Sequence, residues 1–440
     1  MTVPASPASA SGKNDTAVSA AISGLTPGTT YHYRTVASSY GGIVRGADLT
    51  FTTLSDNARL AGLGLSAGAL APEFVKTTTG YVATVPYATS GVTVTPVTDH
   101  FGASVQVEGV PVASGTASGV LDLPVGNTTL TTVVTAEDGI ATMTYTITVT
   151  RLPMIFTFHS ASDVPVSADG FAAGGIPVGI VLGYAPVPGT ILTMVNNRGL
   201  GFIHGTFGNL TQGQRIGLTF NGKTYDFVAN YFGGTGNDLV LQWADTQVMA
   251  WGSNSYGQLG DATTTRRLVP TASEDSGVLA GRTVVALGGG YLHSLALCAD
   301  GTLATWGYNA YGQLGNHSTV PSSVPVAVDR SGVLAGKTVI AIAAGPFHNL
   351  ALCSDGTVAA WGYNNYGQLG TGTKTSSQVP VWVTPAGALA NKQVVAVAAG
   401  AYSSFALCAD GTLTAWGYND EGELGDGTKT SSSVPVPNWP

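Results

Sequence analysis

Charge is the first thing this 440-residue chain lacks. Asp, Glu, Lys and Arg make up 10% of it, against about 25% in an ordinary globular protein. The 17 Lys and Arg are outnumbered by 25 Asp and Glu, a formal net charge of −8, and the single basic doublet is Arg266–Arg267. A phosphate-binding surface needs clustered cations, so the composition argues against a nucleic-acid partner. No apolar run reaches the ~18 residues of a membrane-spanning helix. The first 20 residues have neither a charged n-region nor an apolar h-region, so no signal peptide is read there. Three cysteines, an odd number, exclude a complete disulfide framework. Lys and Glu are scarce and no long stretch has a 3.6-residue period, which excludes a helical protein.

What the chain has is glycine, 60 residues of it, with many Thr and Val. β-Branched residues suit a pleated surface and glycine supplies positive φ, so short strands and tight turns are expected throughout. The length calls for two to four domains at ~100–200 residues each.

Four segments separate along the sequence. Residues 1–54 begin Ser/Ala-rich, alternate in period two through Tyr31, Tyr33 and Thr35, turn at Gly41–Gly42 and end in a strand over 49–53. The spacing Leu25, Pro27, Tyr31 resembles the tyrosine corner of a fibronectin type III domain, with room for only its C-terminal half at 15–54. The start is expected to be a linker or, preferably, the cut end of a longer protein. Residues 58–151 contain strands of 4–8 residues with turn signals every 8–12, the pattern of a sandwich. Glu137–Asp138–Gly139 is a predicted hairpin turn. LSAGALAPEF, YVATVP and VVTAEDGIATMTYTITVTR resemble the bacterial cadherin-like β-sandwich family. True cadherins hold calcium with clustered carboxylates, whereas Glu108, Asp122, Glu137 and Asp138 are scattered here, so calcium is not implied.

Residues 152–246 predict hairpins, with turns at Asn221–Gly222 and at Gly234–Asp238. The segment resembles the β-rich tail repeat of secreted bacterial passenger proteins. GGTGNDLVL (233–241) also fits a calcium-binding nonapeptide, but that cage is built from stacked copies. A single copy reads as a Gly-rich turn.

From 247 the sequence repeats. WGSNSYGQLG, WGYNAYGQLG, WGYNNYGQLG and WGYNDEGELG start at Trp251, Trp306, Trp361 and Trp416, each 55 residues after the last. Between them stand HSLALC, HNLALC and SSFALC. A fixed period of this length marks a solenoid or propeller. Asp300–Gly301, Asp355–Gly356 and Asp410–Gly411 predict type I′ hairpin turns. The tryptophans are expected to fill space between blades, and the AAG and WG glycines to allow close backbone approach. Cys298, Cys353 and Cys408 occupy one repeat position, too far apart for a disulfide, and are read as small buried hydrophobes.

The repeat resembles the regulator-of-chromosome-condensation family, whose propellers usually close seven blades. About three and a half units are present over 247–440, so the resemblance implies an incomplete ring, open at two strand edges, cut at its C-terminus or completed by a second chain. The expected fold class is therefore all-β, with β-sandwich modules followed by a partial β-propeller.

No H-E-x-x-H, C-x-x-C, G-x-S-x-G or Walker pattern occurs, so no catalytic residue, metal ligand or cofactor site is assigned. His293 and His348 share a repeat position that Ser403 takes in the third copy, which predicts a structural hydrogen bond. Variation falls in the loops, where rigid scaffolds carry recognition. Arg266, Arg267, His317, Lys374, Trp382 and Lys429 are the candidate contacts. The reading is a non-enzymatic, modular, secreted or cell-surface protein whose propeller presents a surface to a protein or glycan. The resemblance also implies two alternatives, guanine-nucleotide exchange on a small GTPase and capture or inhibition of a secreted enzyme. The unvarying 55-residue spacing leaves no room for the inserted wedge that exchange requires.

Overall fold

Alternation of apolar with Thr, Ser and Gly residues gives strands almost everywhere. The computed structural model describes residues 2–11 and 15–438. Among them helix is confined to two single 3₁₀ turns, Gly277–Leu279 and Gly387–Leu389. Contacts divide the chain into two units, Met1–Pro153 and Met154–Pro440.

In the first unit, Thr30–Tyr33 pairs with Leu49–Thr52, and Val36–Ser39 with Gly42–Arg45. Ser39 faces Gly42, so the turn is Tyr40–Gly41, one residue earlier than expected. The Tyr31 hydroxyl accepts the N–H of Thr26 at 2.8 Å, fixing the bend before the first strand as a tyrosine corner does. The sandwich that follows has a five-stranded sheet in the order Val110–Val112, Ser104–Val107, Gly126–Thr135, Thr142–Arg151, Gly80–Val85. Period-two burial builds its core. Tyr81, Ala83 and Val85 point inward from one strand, and Tyr145, Ile147 and Val149 from its neighbour. They share that core with Leu60 and Val94 from a separate two-stranded sheet. The expected turn at 137–139 is present, closed by the Gly139 N–H on the Ala136 carbonyl and by Asp138 Oδ1 on the N–H groups of Ile140 and Ala141.

The second unit joins two segments that the sequence separates. Residues 154–246 form a five-stranded sheet over an aromatic core that includes Phe156, Phe158, Phe207 and Phe227. Asn221 and Gly222 both have positive φ (48° and 78°), as a type I′ turn requires. Asp238 is buried, one carboxylate oxygen on the Asn197 N–H (2.8 Å) and the other on the Thr235 N–H (3.2 Å). This module is not independent of the repeats. Val228 and Ala244 cluster with Ala299, Phe202 clusters with Ile340 and Leu350, and the Thr283 hydroxyl donates to the Ala244 carbonyl at 2.7 Å. The sequence boundary at 246/247 is therefore a change of repeat pattern and not a break in packing. Long-range packing leaves no periodic mark in a sequence.

Each complete repeat is a four-stranded antiparallel blade. The first blade runs Val284–Gly289, His293–Cys298, Leu303–Gly307, Ser322–Ala327. The second runs Val339–Ala344, His348–Cys353, Val358–Gly362, Ser377–Trp382, and the third Val394–Ala399, Ser403–Cys408, Leu413–Gly417, Ser432–Pro437. Ahead of them Met249–Gly252 and Arg267–Ala272 form the third and fourth strands of a half-blade. First strands of successive blades converge, and a Cβ on Gly288 would lie 3.2 Å from Ala344 Cβ. Only small residues fit there.

Two expectations need correction. The Asp-Gly turns are not type I′. Gly301, Gly356 and Gly411 have φ near 80° while the preceding Asp residues do not have positive φ. The Gly301 N–H closes on the Cys298 carbonyl, giving a three-residue loop, a type I turn followed by a left-handed glycine. Each Asp carboxylate caps the Thr two residues on, and pairs with Arg282 (3.0 Å), Lys337 or Lys392 (3.2 Å), a cation that recurs every 55 residues. The N–H and hydroxyl of Thr412, with a smaller contribution from the Lys392 cation, hold Asp410 down at about 2. The second correction concerns Trp251. Trp306, Trp361 and Trp416 are fully buried, but Trp251 is 60% exposed, with no preceding blade beside it among the described residues. The three cysteines are buried free thiols, and burial pushes Cys298 up to about 12.

Replacing Trp361 with Ala should remove about 3–5 kcal/mol of stability. Trp251→Ala should stay within about 0.5 kcal/mol of the parent. Calorimetry of the full chain, following the transition that contains the blades, checks both.

Candidate functional site

The loops between third and fourth strands are built around a buried asparagine. In Asn254, Asn309, Asn364 and Asn419 the side-chain oxygen accepts the N–H of the leucine five residues on, at 2.8–2.9 Å. The amide nitrogen donates to two carbonyls further along, Ser318 and Val320 in the case of Asn309. Gln258, Gln313 and Gln368 accept the N–H of Tyr256, Tyr311 and Tyr366. Their own carbonyls receive the indole N–H of the next blade's tryptophan at 2.9, 3.0 and 2.9 Å. Each loop is thus tied to itself and to the following blade, and the tyrosines it carries are held in place.

The histidines belong to this frame. His293 Nε2–H donates to Asn349 Oδ1 (2.9 Å), whose amide donates to the Gln313 carbonyl (2.8 Å). His348 Nε2–H donates to the Ser404 hydroxyl (3.0 Å), which donates to the Gln368 carbonyl (2.8 Å). Burial lowers both imidazoles, His348 to about 3. They are neutral relay groups linking one blade to the next, as the repeat position implied.

These ties leave a band of aromatic rings on the loop end of the blades. Tyr256 meets Tyr308 at 4.9 Å between ring centroids, Tyr311 meets Tyr363 at 4.8 Å, and Tyr366 meets Tyr418 at 5.0 Å. Each of these pairs crosses a blade boundary. Phe347 and Tyr402, from loops between first and second strands, lie against Tyr311 (5.6 Å) and Tyr366 (5.2 Å) and close the gaps. Most of the rings are half-buried, and several pack edge against face. In the fourth loop Glu421 replaces the tyrosine, and the band ends at Asp420, Glu421 and Glu423. Partial burial raises the Tyr418 phenol, with the Asp420 carboxylate adding to it.

The charged candidates fall partly on these same loops. Arg266, His317, Lys374 and Lys429 are exposed at their outer ends. His317 pairs with Asp329 at 3.2 Å, and Lys429 reaches Glu421 at 3.5 Å. Arg267 and Trp382 are engaged within the fold. Arg267 is engaged by Asp261 and Thr263, and Trp382 lies on a strand, half-buried with the Lys337 ammonium 5.5 Å above its ring. The sequence reasoning missed the tyrosines. Their signal was recurrence in the aligned repeats, at 256/311/366 and 308/363/418.

Because His293 and His348 are neutral in the fold while an unfolded imidazole takes a proton near 6.5, stability is fully present above that pH. It should fall as the pH drops through 6.5 toward the lowered folded values, by up to about 1.4 kcal/mol per pH unit for each ring. Denaturation at pH 7.5 and 5.0 should show the loss, and His348→Asn should reduce it.

Sequence comparison places two known elements on this geometry. A cadherin-like beta sandwich domain matches residues 47–152, and regulator of chromosome condensation (RCC1) repeats match 245–297, 300–352 and 355–407. The human E3 ubiquitin-protein ligase HERC2 is 35% identical over 187 residues, 42% of this chain and 4% of that protein. The ultraviolet-B receptor UVR8 of Arabidopsis thaliana is 31% identical over 190 residues, 43% of this chain and 41% of that protein. This chain thus spans less than half of either relative. Among solved structures, Prp20p of Saccharomyces cerevisiae overlaps 44% of this chain and 48% of its own, at 25% identity and a TM-score of 0.38. Residues 245–407 are three RCC1 repeats, and residues 47–152 are a cadherin-like β-sandwich domain.

Proposed function

We propose that the repeats form a non-enzymatic protein-docking module whose contact surface is the tyrosine band. The observation that carries this reading is the band itself. Tyrosine combines large apolar area with a hydroxyl and few rotatable bonds, which makes it a preferred anchor in protein interfaces. Here the rings are pre-ordered by the asparagine- and glutamine-tied loops, so little entropy remains to be lost on binding. Arg266, Lys374 and Lys429 stand around the band as a charged rim, where they influence approach more than affinity.

The sandwich domain and the 1–54 segment act in this reading as spacers. Low charge and a succession of β-modules support a secreted or cell-surface setting. A glycan is the second reading, because sugar rings stack on partly exposed aromatic rings.

In the full chain, Tyr311→Ala with Tyr366→Ala should weaken partner binding by about thirtyfold or more, the loss typical of an interface anchor. Lys374→Ala should change it less than about threefold. Titration by calorimetry, with the thermal transition recorded for each variant, measures both. Equal effects at the rim and the band would refute the assignment. Competition by soluble oligosaccharides would favour the glycan. Turnover of a substrate, lost on a single substitution in the repeats, would overturn the non-enzymatic reading.

A further inference from the structure

The tyrosine band has a chemistry and a direction. Its rings follow one another closely, Tyr308 to Tyr311 at 6.2 Å, Tyr311 to Tyr363 at 4.8 Å and Tyr363 to Tyr366 at 6.2 Å. Neighbouring planes are inclined by 73°, 59° and 67°, which gives a ridged surface and not a flat one. The loop segments 308–313 and 363–368 contain no charged residue. The hydroxyls of Tyr308, Tyr311 and Tyr366 bond to nothing within the fold among the described residues. Tyr311 is 39% exposed, and the other two hydroxyls are not buried orphans. At the far end the character changes. Glu421 is reached by Lys429, but Asp420 and Glu423 meet no cation among the described residues.

Each of these features selects for something. Unbonded phenols call for hydrogen-bond acceptors, inclined rings for stiff apolar groups, and free carboxylates for a cation. A polyproline II segment with a basic end meets all three. Its backbone makes no internal hydrogen bonds, so its carbonyls are open to a donor, and its prolines bring no N–H that would need a partner. It is extended before it binds and loses little entropy on pre-ordered loops. A helix would spend its carbonyls on itself. An added strand needs a sheet edge, whereas the band is made of loop side chains. A second copy of this chain, with a net charge of −8, would bring mostly like charge to Asp420 and Glu423.

We infer that the band takes an extended, proline-rich segment of a partner protein, in the polyproline II conformation, with arginine or lysine at one end. This rests on the reading of the band as the contact surface and names the chemistry of the partner. The prolines pack across the inclined rings, and the hydroxyls of Tyr308, Tyr311 and Tyr366 donate to main-chain carbonyls. The basic end lies over Asp420 and Glu423 and fixes the direction of the segment. The equivalent positions in the other loops could not do so, being Ser255 and Gln258, Ala310 and Gln313, Asn365 and Gln368.

The probe is a fluorescein-labelled peptide of three Pro-Pro-Ala units ending in two arginines, titrated with the full chain and followed by fluorescence anisotropy. Saturable binding is expected. Replacing every proline with glycine should weaken it about tenfold or more, because a flexible chain must then be ordered on binding. Tyr311→Phe removes one hydroxyl and keeps the ring, and should weaken binding about fivefold, the worth of one hydrogen bond. Asp420→Asn with Glu423→Gln, the residues of the preceding repeat, should remove the preference for arginines over glutamates at the peptide's end. The preference for proline over glycine should survive that change. A thermal transition recorded for each variant confirms that it is folded. The inference is overturned if the proline peptide does not bind, or if the glycine peptide binds as well. Should the glycine peptide bind equally and be released by Tyr311→Ala with Tyr366→Ala, proline recognition fails while the band stands as the contact surface. Should the proline peptide bind and tolerate both alanine substitutions, the band is refuted together with the inference.

Discussion

The indole N–H of one blade, donated to a glutamine carbonyl of the blade before it, is the contact on which the second unit depends. It recurs from Trp306 to Gln258, from Trp361 to Gln313 and from Trp416 to Gln368. The bond itself is worth only about 1 kcal/mol. Its importance is that it orients the largest buried side chain of each repeat, and that side chain sets the distance between blades. A glycine must stand beside each indole. A Cβ on Gly260, Gly315 or Gly370 would come within 3 Å of the ring, which explains why the first three copies of the motif end in Leu-Gly.

Fixing the blades in this way also fixes the loops. The glutamine that accepts the indole through its main chain holds the tyrosine N–H two residues earlier through its side chain. Core packing and surface presentation are therefore coupled through one residue. In the fourth repeat Glu423 replaces that glutamine and still accepts a main-chain N–H, from Glu421 at 3.0 Å. The loop conformation persists while its surface changes from aromatic to acidic. Scaffold and recognition can vary separately at that point.

Most of the fold was legible because period-two burial and a 55-residue repeat are local patterns. The sandwich strands, the Asn221–Gly222 turn and the structural histidines could all be read from them. What escaped was either non-local or dependent on backbone detail. Nothing in residues 154–246 announces that Phe202 and Ala244 pack against the blades. Asp-Gly permits both a two-residue and a three-residue loop, and the choice was made by the Gly301 N–H reaching the Cys298 carbonyl. The tyrosine band was missed for another reason. Charged loop residues drew attention because they vary, whereas Tyr311 and Tyr366 recur and so resembled packing residues. Arg267 and Trp382 also vary between repeats, yet both are half-buried and engaged within the fold.

The histidine relay has a consequence for how the unit comes apart. Each of its links joins a blade only to the next, as do the indole bonds and the converging first strands. Free energy in such an array is close to a sum over nearest-neighbour junctions, the behaviour of a one-dimensional chain of coupled spins. A blade at the end has one junction and a blade within has two. Unfolding then proceeds as a boundary moving inward from an end, and the blades Val284–Ala327 and Val339–Trp382, coupled on both sides, outlast Val394–Pro437, which has one such junction among the described residues.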